Sequence, residues 1–379
     1  MQAVTLSLAD TKHRLYESLS ALGLPGNKTE QYKNFAIKPI LAKEYELLSP
    51  QISKPAHGSK IVIENGVVTR CPKDVKISFI QDFEADEQHY DALYFMSHIL
   101  APFVIEVELS GDATFEIRHK FTLKETLLAY RVCVKTVPNS KVEIFETFKT
   151  KKSANGLLLY GIDARVARDS TLRFIRDQNA KSKNATVIGT HRFNVEKQGA
   201  VELKTFDFGS GQALHLYKID LANYAWADAQ HLLLATEEAR RGNVVLIKHN
   251  EPYAKSVQEA RTILKDKATG IFDGKIFVGK EAQYANASQN SKAILLGESA
   301  HMYAKPQLEI HTDELEASHG STIGQLEEDA LFYLRSRGIG LEDAKKTLVL
   351  AFANTLIDTL GDGEIFDKIH SDFDKTYYA

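Results

Sequence analysis

The chain has 379 residues, with 47 Lys and Arg against 50 Asp and Glu, hence a formal charge of −3 when its 13 His are neutral. That length suits about two or three domains, or a single elongated one, and can bury a core without covalent staples. Acids and bases are interspersed without a basic stripe, and no apolar run approaches the ~18 residues of a spanning helix, so neither nucleic acid nor a membrane is an expected partner.

The opening MQAVTLSLADTKHR has no basic start, apolar stretch or small-residue cleavage site, which predicts no secretory signal. From Ser7 to Leu22 the residues Leu8, Leu15, Leu19 and Leu22 recur near helical spacing. Ser7 is placed to cap, and Gly23 to Gly26 supplies a stop, so a short amphipathic helix is expected. The following GLPGNKTEQYKNFAIKPIL mixes Gly, Pro and polar residues and reads as an irregular connector. Residues 1–60 are therefore expected to form an N-terminal helical region and connector.

Over residues 61–315 the helical period gives way to short segments rich in Val, Ile, Phe, Tyr and Thr, among them IVIENGVV, FVIEVEL, TFEIRHKF, LLAYRVCVKTV, KVEIFETF, AVELKTFDF and NVVLIKHN. These read as strands of a mainly β protein. Between them lie SGDA at Ser110, PNSK at Pro138, EKQGA at Glu196, GKEA at Gly279 and GESA at Gly297. Few of these turns carry the Asn-Gly or Asp-Gly pairs of tight hairpins. Repeated polar corners followed by short strands predict a parallel β-solenoid, which grows by stacking coils, with a β-sandwich as the structural alternative.

Residues 316–379 revert to helical patterning. Leu326, Ala330, Leu331 and Leu334 share one face, with acids Glu327, Glu328 and Asp329 at the start and Arg335 and Arg337 before Gly338. A second helix is expected from Leu341 to Leu360, with Leu341, Ala344, Leu348, Phe352 and Leu356 on one face, completing an αα-hairpin.

Catalytic signatures are sparse. The chain has no G-x-x-x-x-G-K-[ST] loop to cradle nucleotide phosphates, no H-E-x-x-H, no G-x-S-x-G and no strand-to-helix G-x-G-x-x-G. Two cysteines, Cys71 and Cys133, are too few for a disulfide framework, a structural zinc site or a four-thiolate cluster. They read as small buried hydrophobes in a reduced, cytoplasmic setting. The densest polar group is HTDELEASHG, where His311, Asp313, Glu314, Glu316 and His319 fall close together at an expected change from strand to helix. Carboxylates and imidazoles are plausible iron or zinc ligands, although a solvated acidic turn explains the same pattern. His119, His191, His215 and His249 occur singly in strand-like segments and read as packed or surface side chains.

The segment KPQLEIHTDELEASHGSTIGQLEEDALFYLRSRGI, from Lys305 to Ile339, closely resembles the signature of the SufB/SufD family of iron-sulfur cluster assembly proteins. The resemblance continues upstream through Ser256 to Leu296 and, more weakly, to GLPGNKTEQYKNF. Within the family SHGSTIGQL is similar to the SufD branch, and the lack of any Cys after Cys133 agrees with that branch. Ala317 stands where many relatives carry Cys, so no thiolate role carries over to that position.

The resemblance implies a right-handed parallel β-helix flanked by helical regions. It also implies a non-catalytic scaffold subunit that pairs with SufB and binds SufC, in which ATP hydrolysis would reside. His319 matches the family histidine implicated in iron or cluster binding at the SufB interface, and Leu331, Tyr333, Leu334, Arg335 and Arg337 become the candidate SufC contact. No cofactor is expected to be held tightly by the isolated chain, only transient iron or a nascent cluster in the complex, and the chain alone is a candidate homodimer. The alternative from another class is a β-solenoid carbohydrate-active enzyme using paired carboxylates.

Overall fold

The computed structural model describes residues 10–122, 124–150, 153–180 and 182–378. Ser7 and Leu8, at the expected start of the first helix, lie outside the described residues, and α1 runs over Asp10–Leu22. The connector contains a short α2 (Ile37–Leu41) and strands β1 (Glu46–Leu48) and β2 (Ala56–His57). Next come β3 (Ile61–Glu64), β4 (Val67–Cys71), β5 (Lys76–Ile80), α3 (Ala92–Leu100) and β6 (Val104–Glu108). The repeating body begins with β7 (Ala113–Phe121), β8 (Lys124–Lys135), β9 (Lys141–Thr150), β10 (Asn155–Val166), β11 (Thr171–Ala180), β12 (Ala185–Val195) and β13 (Ala200–Gly209). It continues through β14 (Gln212–Leu221), β15 (Trp226–Ala235), β16 (Arg240–His249), β17 (Lys255–Leu264), β18 (Thr269–Val278), β19 (Ala285–Leu295), β20 (His301–Ile310) and β21 (Leu315–Gly324). Three helices close the described chain: α4 (Glu328–Ser336), α5 (Leu341–Ile357) and α6 (Glu364–Tyr377).

From β7 onward every strand pairs in parallel with the strand two places later, so even strands build one sheet up to β20 and odd strands the other up to β21. This is the parallel β-solenoid expected from the corner pattern, not a sandwich. The corners explain how it stacks. Asn139, Asp169, Gln198, Tyr224, Tyr253 and Tyr284 all take left-handed backbone near φ +60°. That conformation aims each N–H at the next coil: Gln198 N donates to Asn223 O at 3.0 Å, Tyr253 N to Gln283 O at 3.0 Å and Tyr284 N to Glu314 O at 2.6 Å. A non-glycine residue here costs roughly 1–2 kcal/mol of strain, which these inter-coil bonds help to offset.

Inside, alternate residues of both sheets meet. Phe115, Ile144, Phe174, Leu203 and Ala229 occupy successive positions of one register column and are buried together. Strands such as β17 and β19 escape a β-propensity reading because their inward positions are small or polar, including Ser256, Gln258, Ala260, Ala285 and Ala287. Stacking between coils overrides the weak local preference. The core also holds a buried polar group. Tyr130 Oη lies 2.6 Å from His119 Nδ1, and His119 Nε2 lies 3.0 Å from Glu146 Oε1. Arg176 reaches Tyr217 Oη at 2.5 Å and His215 Nδ1 at 3.0 Å. His119, His191, His215 and His249 are thus packed inside rather than displayed on the surface.

Helices cover both outer faces. Tyr32, Phe35, Leu93 and Met96 pack on Leu157, Leu159, Ile188, Leu214 and Leu216 of the even sheet. Helix α3 was invisible to periodicity because ALYFMSHIL is apolar nearly all round, as a helix enclosed between layers must be. Asp91 caps it, its carboxylate accepting from Tyr94 N at 2.9 Å. On the odd sheet, Val349, Ala353, Leu356 and Ile357 of α5 and Ile369 and Phe373 of α6 cover Phe206, Phe208, Leu232 and Leu234. The expected hairpin therefore gains a third helix. The buried stripe of α5 is also rotated: Leu341 is exposed and Leu348 and Phe352 are only half-buried, because Val349 and Ala353 face the sheet. No helix among the described residues is long and apolar enough to cross a membrane.

Candidate functional site at the open edge of the solenoid

The two ends of the solenoid differ. At the N-terminal end the antiparallel pairs β5/β6 and β3/β4 break the parallel stack. At the other end β20 and β21 each have, among the described residues, a strand neighbour on one side only. Pro306, in register with Gly274, sits on the β20 edge, where a residue without an N–H is tolerated. Tyr303, Ile310 and Ile323 are between 42% and 46% exposed on these two strands, so the edge offers both unpaired backbone and apolar side chains.

HTDELEASHG does not mark a strand-to-helix change, contrary to expectation: Leu315–Gly324 is a full strand, and helix begins only at Glu328. SHGSTIG has too few apolar residues to look like a strand by itself, but it pairs residue by residue with β19. His319 stands opposite Gln289, which stands opposite Gln258 and, one coil earlier, Ala229. His319 thus continues the inward column of Leu203 and Ala229. In earlier coils that position is buried, whereas on β21 the side chain is exposed because, among the described residues, no coil lies beyond it. Gln289 beneath it is 2% exposed and donates to Gln258.

The remaining members of the polar group diverge. His311 Nε2 lies 3.1 Å from Glu309, whose carboxyl is held below its usual range first by Lys275 and then by His311. Glu316 accepts from Asn286 at 2.7 Å, and Glu314 offers its backbone oxygen to Tyr284. Among the described residues no three His, Cys, Asp or Glu side chains converge as a metal site. Ala317 is opposite Ala287 and brings no thiol. Cys71 and Cys133 are free and buried, as expected of small hydrophobes, and burial followed by Asp163 pushes the Cys133 thiol up to about 12. A thiol so raised is neither a nucleophile nor a ready ligand near neutral pH.

Leu331, Tyr333, Leu334 and Arg335 lie on α4 and Arg337 caps its C-terminal end, none of them on the edge with His319. Leu331 and Leu334 are half-buried, while Tyr333 is 57% exposed and carries the Arg337 guanidinium 5.4 Å from its ring centre. Phe332 between them is 74% exposed, a feature the sequence reading missed although FYLRSR places it beside two basic residues. Helix α4 has no fully buried residue, so it is held by its contacts with α5 and leaves one aromatic face open.

A family model described as "SUF system FeS cluster assembly, SufBD core domain" matches residues 119–352, more than half of the chain. Among curated proteins, the chain is similar to the iron-sulfur cluster assembly protein SufD of Escherichia coli, 38% identical over 116 residues that are 31% of this chain and 27% of that protein. It is also similar to a SufBD family protein of Synechocystis, 40% identical over 29% of this chain and 24% of that one. SufD of Bacillus subtilis is 35% identical over 26% of this chain and 22% of its own length. These matches span about a quarter of the length of the curated relatives. With the solenoid, the exposed SHGSTIG strand and the family match all falling on the same residues, the chain belongs to the SufB/SufD family of iron-sulfur cluster assembly proteins.

Proposed function

We propose that this chain is a non-catalytic scaffold subunit of the SUF system that pairs with SufB through the β20–β21 edge, holds iron or a nascent cluster at His319, and receives SufC on α4. The observation that carries this reading is the position of His319: an inward-column side chain left exposed on a terminal strand with an unpaired backbone edge. A strand from a partner can add to such an edge by main-chain hydrogen bonds, while the exposed inward side chains supply selectivity. One imidazole does not hold an iron by itself, so the remaining ligands would come from the partner across the edge. The metal is cargo in this scheme and leaves with the assembled cluster.

For SufC, Leu331 and Leu334 anchor α4 while Phe332, Tyr333, Arg335 and Arg337 present an aromatic and basic face, a combination common at binding hot spots. The absence of a nucleotide-cradling loop in the sequence agrees with ATP hydrolysis in SufC. The observations give the carbohydrate-active alternative no support.

The test is co-expression with SufB and SufC, capture on this chain, and anaerobic iron and sulfide analysis of wild-type and His319→Ala complexes. A stable complex whose iron and sulfide fall in the variant is expected. Unchanged content would remove His319 from the site, and failure to recover either partner would overturn the scaffold role.

A further inference from the structure

Gln258, Gln289 and His319 stand one above another on β17, β19 and β21, each in register with the next, in a column that faces the inside of the solenoid. Beneath them the column is apolar, since Ala229 lies opposite Gln258 and has no polar side-chain group to offer. Gln289 Nε2 donates to Gln258 Oε1, so the amide nitrogen faces the coil below. A planar amide carries its oxygen on the other side from its nitrogen, and Gln289 Oε1 is therefore turned toward the coil above, where His319 stands.

That oxygen is buried and has no hydrogen-bond partner among the described residues. The amide is also fixed in place. A Cβ on Gly274, across the interior, would sit 2.2 Å from Gln289 Nε2, so only a glycine there leaves the amide its room. A buried acceptor left unmet is costly, and parallel neighbours about 4.8 Å apart are close enough for one side chain to hydrogen-bond the next. The neighbouring hydroxyls, Ser291 and Ser321, occupy the next inward column and stand opposite each other. His319 is the residue directly over the oxygen with a proton to give, and its exposed side chain reaches it by rotation without movement of the backbone.

We infer that Gln289 is a positioning residue for His319: its Oε1 accepts the Nδ1–H of the imidazole, fixes that tautomer and leaves Nε2 bare to face a metal at the open edge. The Nδ1–H bond runs across the long axis of the side chain, along the direction in which the coils stack, whereas Nε2 lies at the far end of the ring. An imidazole that ligates through one nitrogen is ordinarily held by an acceptor on the other, which sets both tautomer and ring orientation. The metal-facing part of this inference rests on the reading of His319 as an iron ligand; the hydrogen bond itself does not.

The test is long-range proton–nitrogen correlation NMR of the full chain labelled on histidine, at about pH 8, where an exposed imidazole is neutral. His319→Ala protein identifies the His319 signals. The expected result is a His319 ring held as Nδ1–H, the minor form of a free imidazole. Gln289→Met, of similar length but without the acceptor, should return the ring to mainly Nε2–H, while Gln289→Glu, which keeps an acceptor oxygen, should retain Nδ1–H. Ser321→Ala should leave the ring unchanged. A mainly Nε2–H ring in the wild-type protein, no change in Gln289→Met, or an equal change in Ser321→Ala would each overturn the assignment, and the wild-type spectrum decides it even if a variant fails to fold. In the complex with SufB and SufC, Gln289→Met should lower iron affinity by about tenfold or more. Iron binding unchanged in Gln289→Met but lowered in His319→Ala would overturn the metal-facing part of the assignment. Iron binding unchanged in both would instead overturn the reading of His319 as a ligand, with the tautomer of the isolated chain unaffected.

Discussion

Arg176 Nε lies 2.5 Å from Glu146 Oε2 in the middle of the solenoid, and neither side chain is more than 1% exposed. Burial alone would raise the Glu146 carboxyl, but Arg176, with His119, outweighs it and holds the group below its usual range. Removing one member of such a pair strands a charge where water cannot reach. Glu146→Gln should therefore cost ~3–5 kcal/mol in urea unfolding, and Glu146→Gln combined with Arg176→Met should recover most of it. A single variant losing less than about 1 kcal/mol would show that the pair is hydrated in solution.

The pH dependence follows from the same core. Burial keeps His89, His98, His191 and His215 neutral well below the ordinary imidazole range, with Lys218 next in effect on His89, Arg131 on His98 and Arg176 on the other two. Burial also lowers His231 to about 3 and His249 to about 4. Below about pH 6.5 the unfolded chain takes protons that these folded rings refuse, so stability falls with pH by ~1.4 kcal/mol per unit for each ring. Asp91 and Asp177, both raised to about 6 chiefly by burial, act in the opposite sense between about pH 6 and 4 and offset part of the loss. Urea midpoints should drop steadily from about pH 6.5 downward; a flat profile to about pH 5 would contradict this account.

The left-handed corners make a contrary prediction, a substitution that stabilises. Gln198 has φ +57° and an exposed side chain, so Gln198→Gly relieves strain and should be neutral or stabilising by up to ~1 kcal/mol. Gln198→Val should cost ~1 kcal/mol or more, since a branched side chain is worst in that region. Thermal melts of the pair check the order.

Gly189 is required for space. A Cβ there would sit 2.3 Å from both His191 Nε2 and His215 Nδ1, two rings already fixed by Arg176. Gly189→Ala should cost ~1–3 kcal/mol by overpacking, read as a lowered urea midpoint. An unchanged midpoint would mean that the rings can move aside.

At the surface, Phe332→Ala should leave the melt within about 0.5 kcal/mol of wild type, since the ring is 74% exposed, yet reduce SufC capture by about tenfold or more. Equal capture would place the SufC contact elsewhere. His319→Ala should likewise leave stability unchanged while lowering complex-bound iron, as measured in the co-expression experiment.

Much of this was legible in the order of residues. PNSK and EKQGA gave polar corners without hairpin dipeptides, and that was enough to favour stacked parallel coils. Lys305 to Ile339 carried the family, because a long ungapped motif is fixed by many positions at once. The helical face of α4 was readable from Leu331 and Leu334, whose partner is the next helix in sequence.

Long-range register decided the rest. Whether His319 is a core or an edge residue depends on the missing coil beyond it, which no local pattern encodes. Lys120 and Lys149 are 29 residues apart and harmless on paper; only a coil of that length sets them face to face. The same holds for Glu146 and Arg176, 30 residues apart in sequence and opposite one another in the stack. Sequence by itself therefore determined the kind of repeat and the family, because both reside in local pattern. The tertiary structure alone decided which side chains the repeat brings together, since a solenoid joins residues one coil apart and a shift of a single residue would turn each of them to the other face of the sheet.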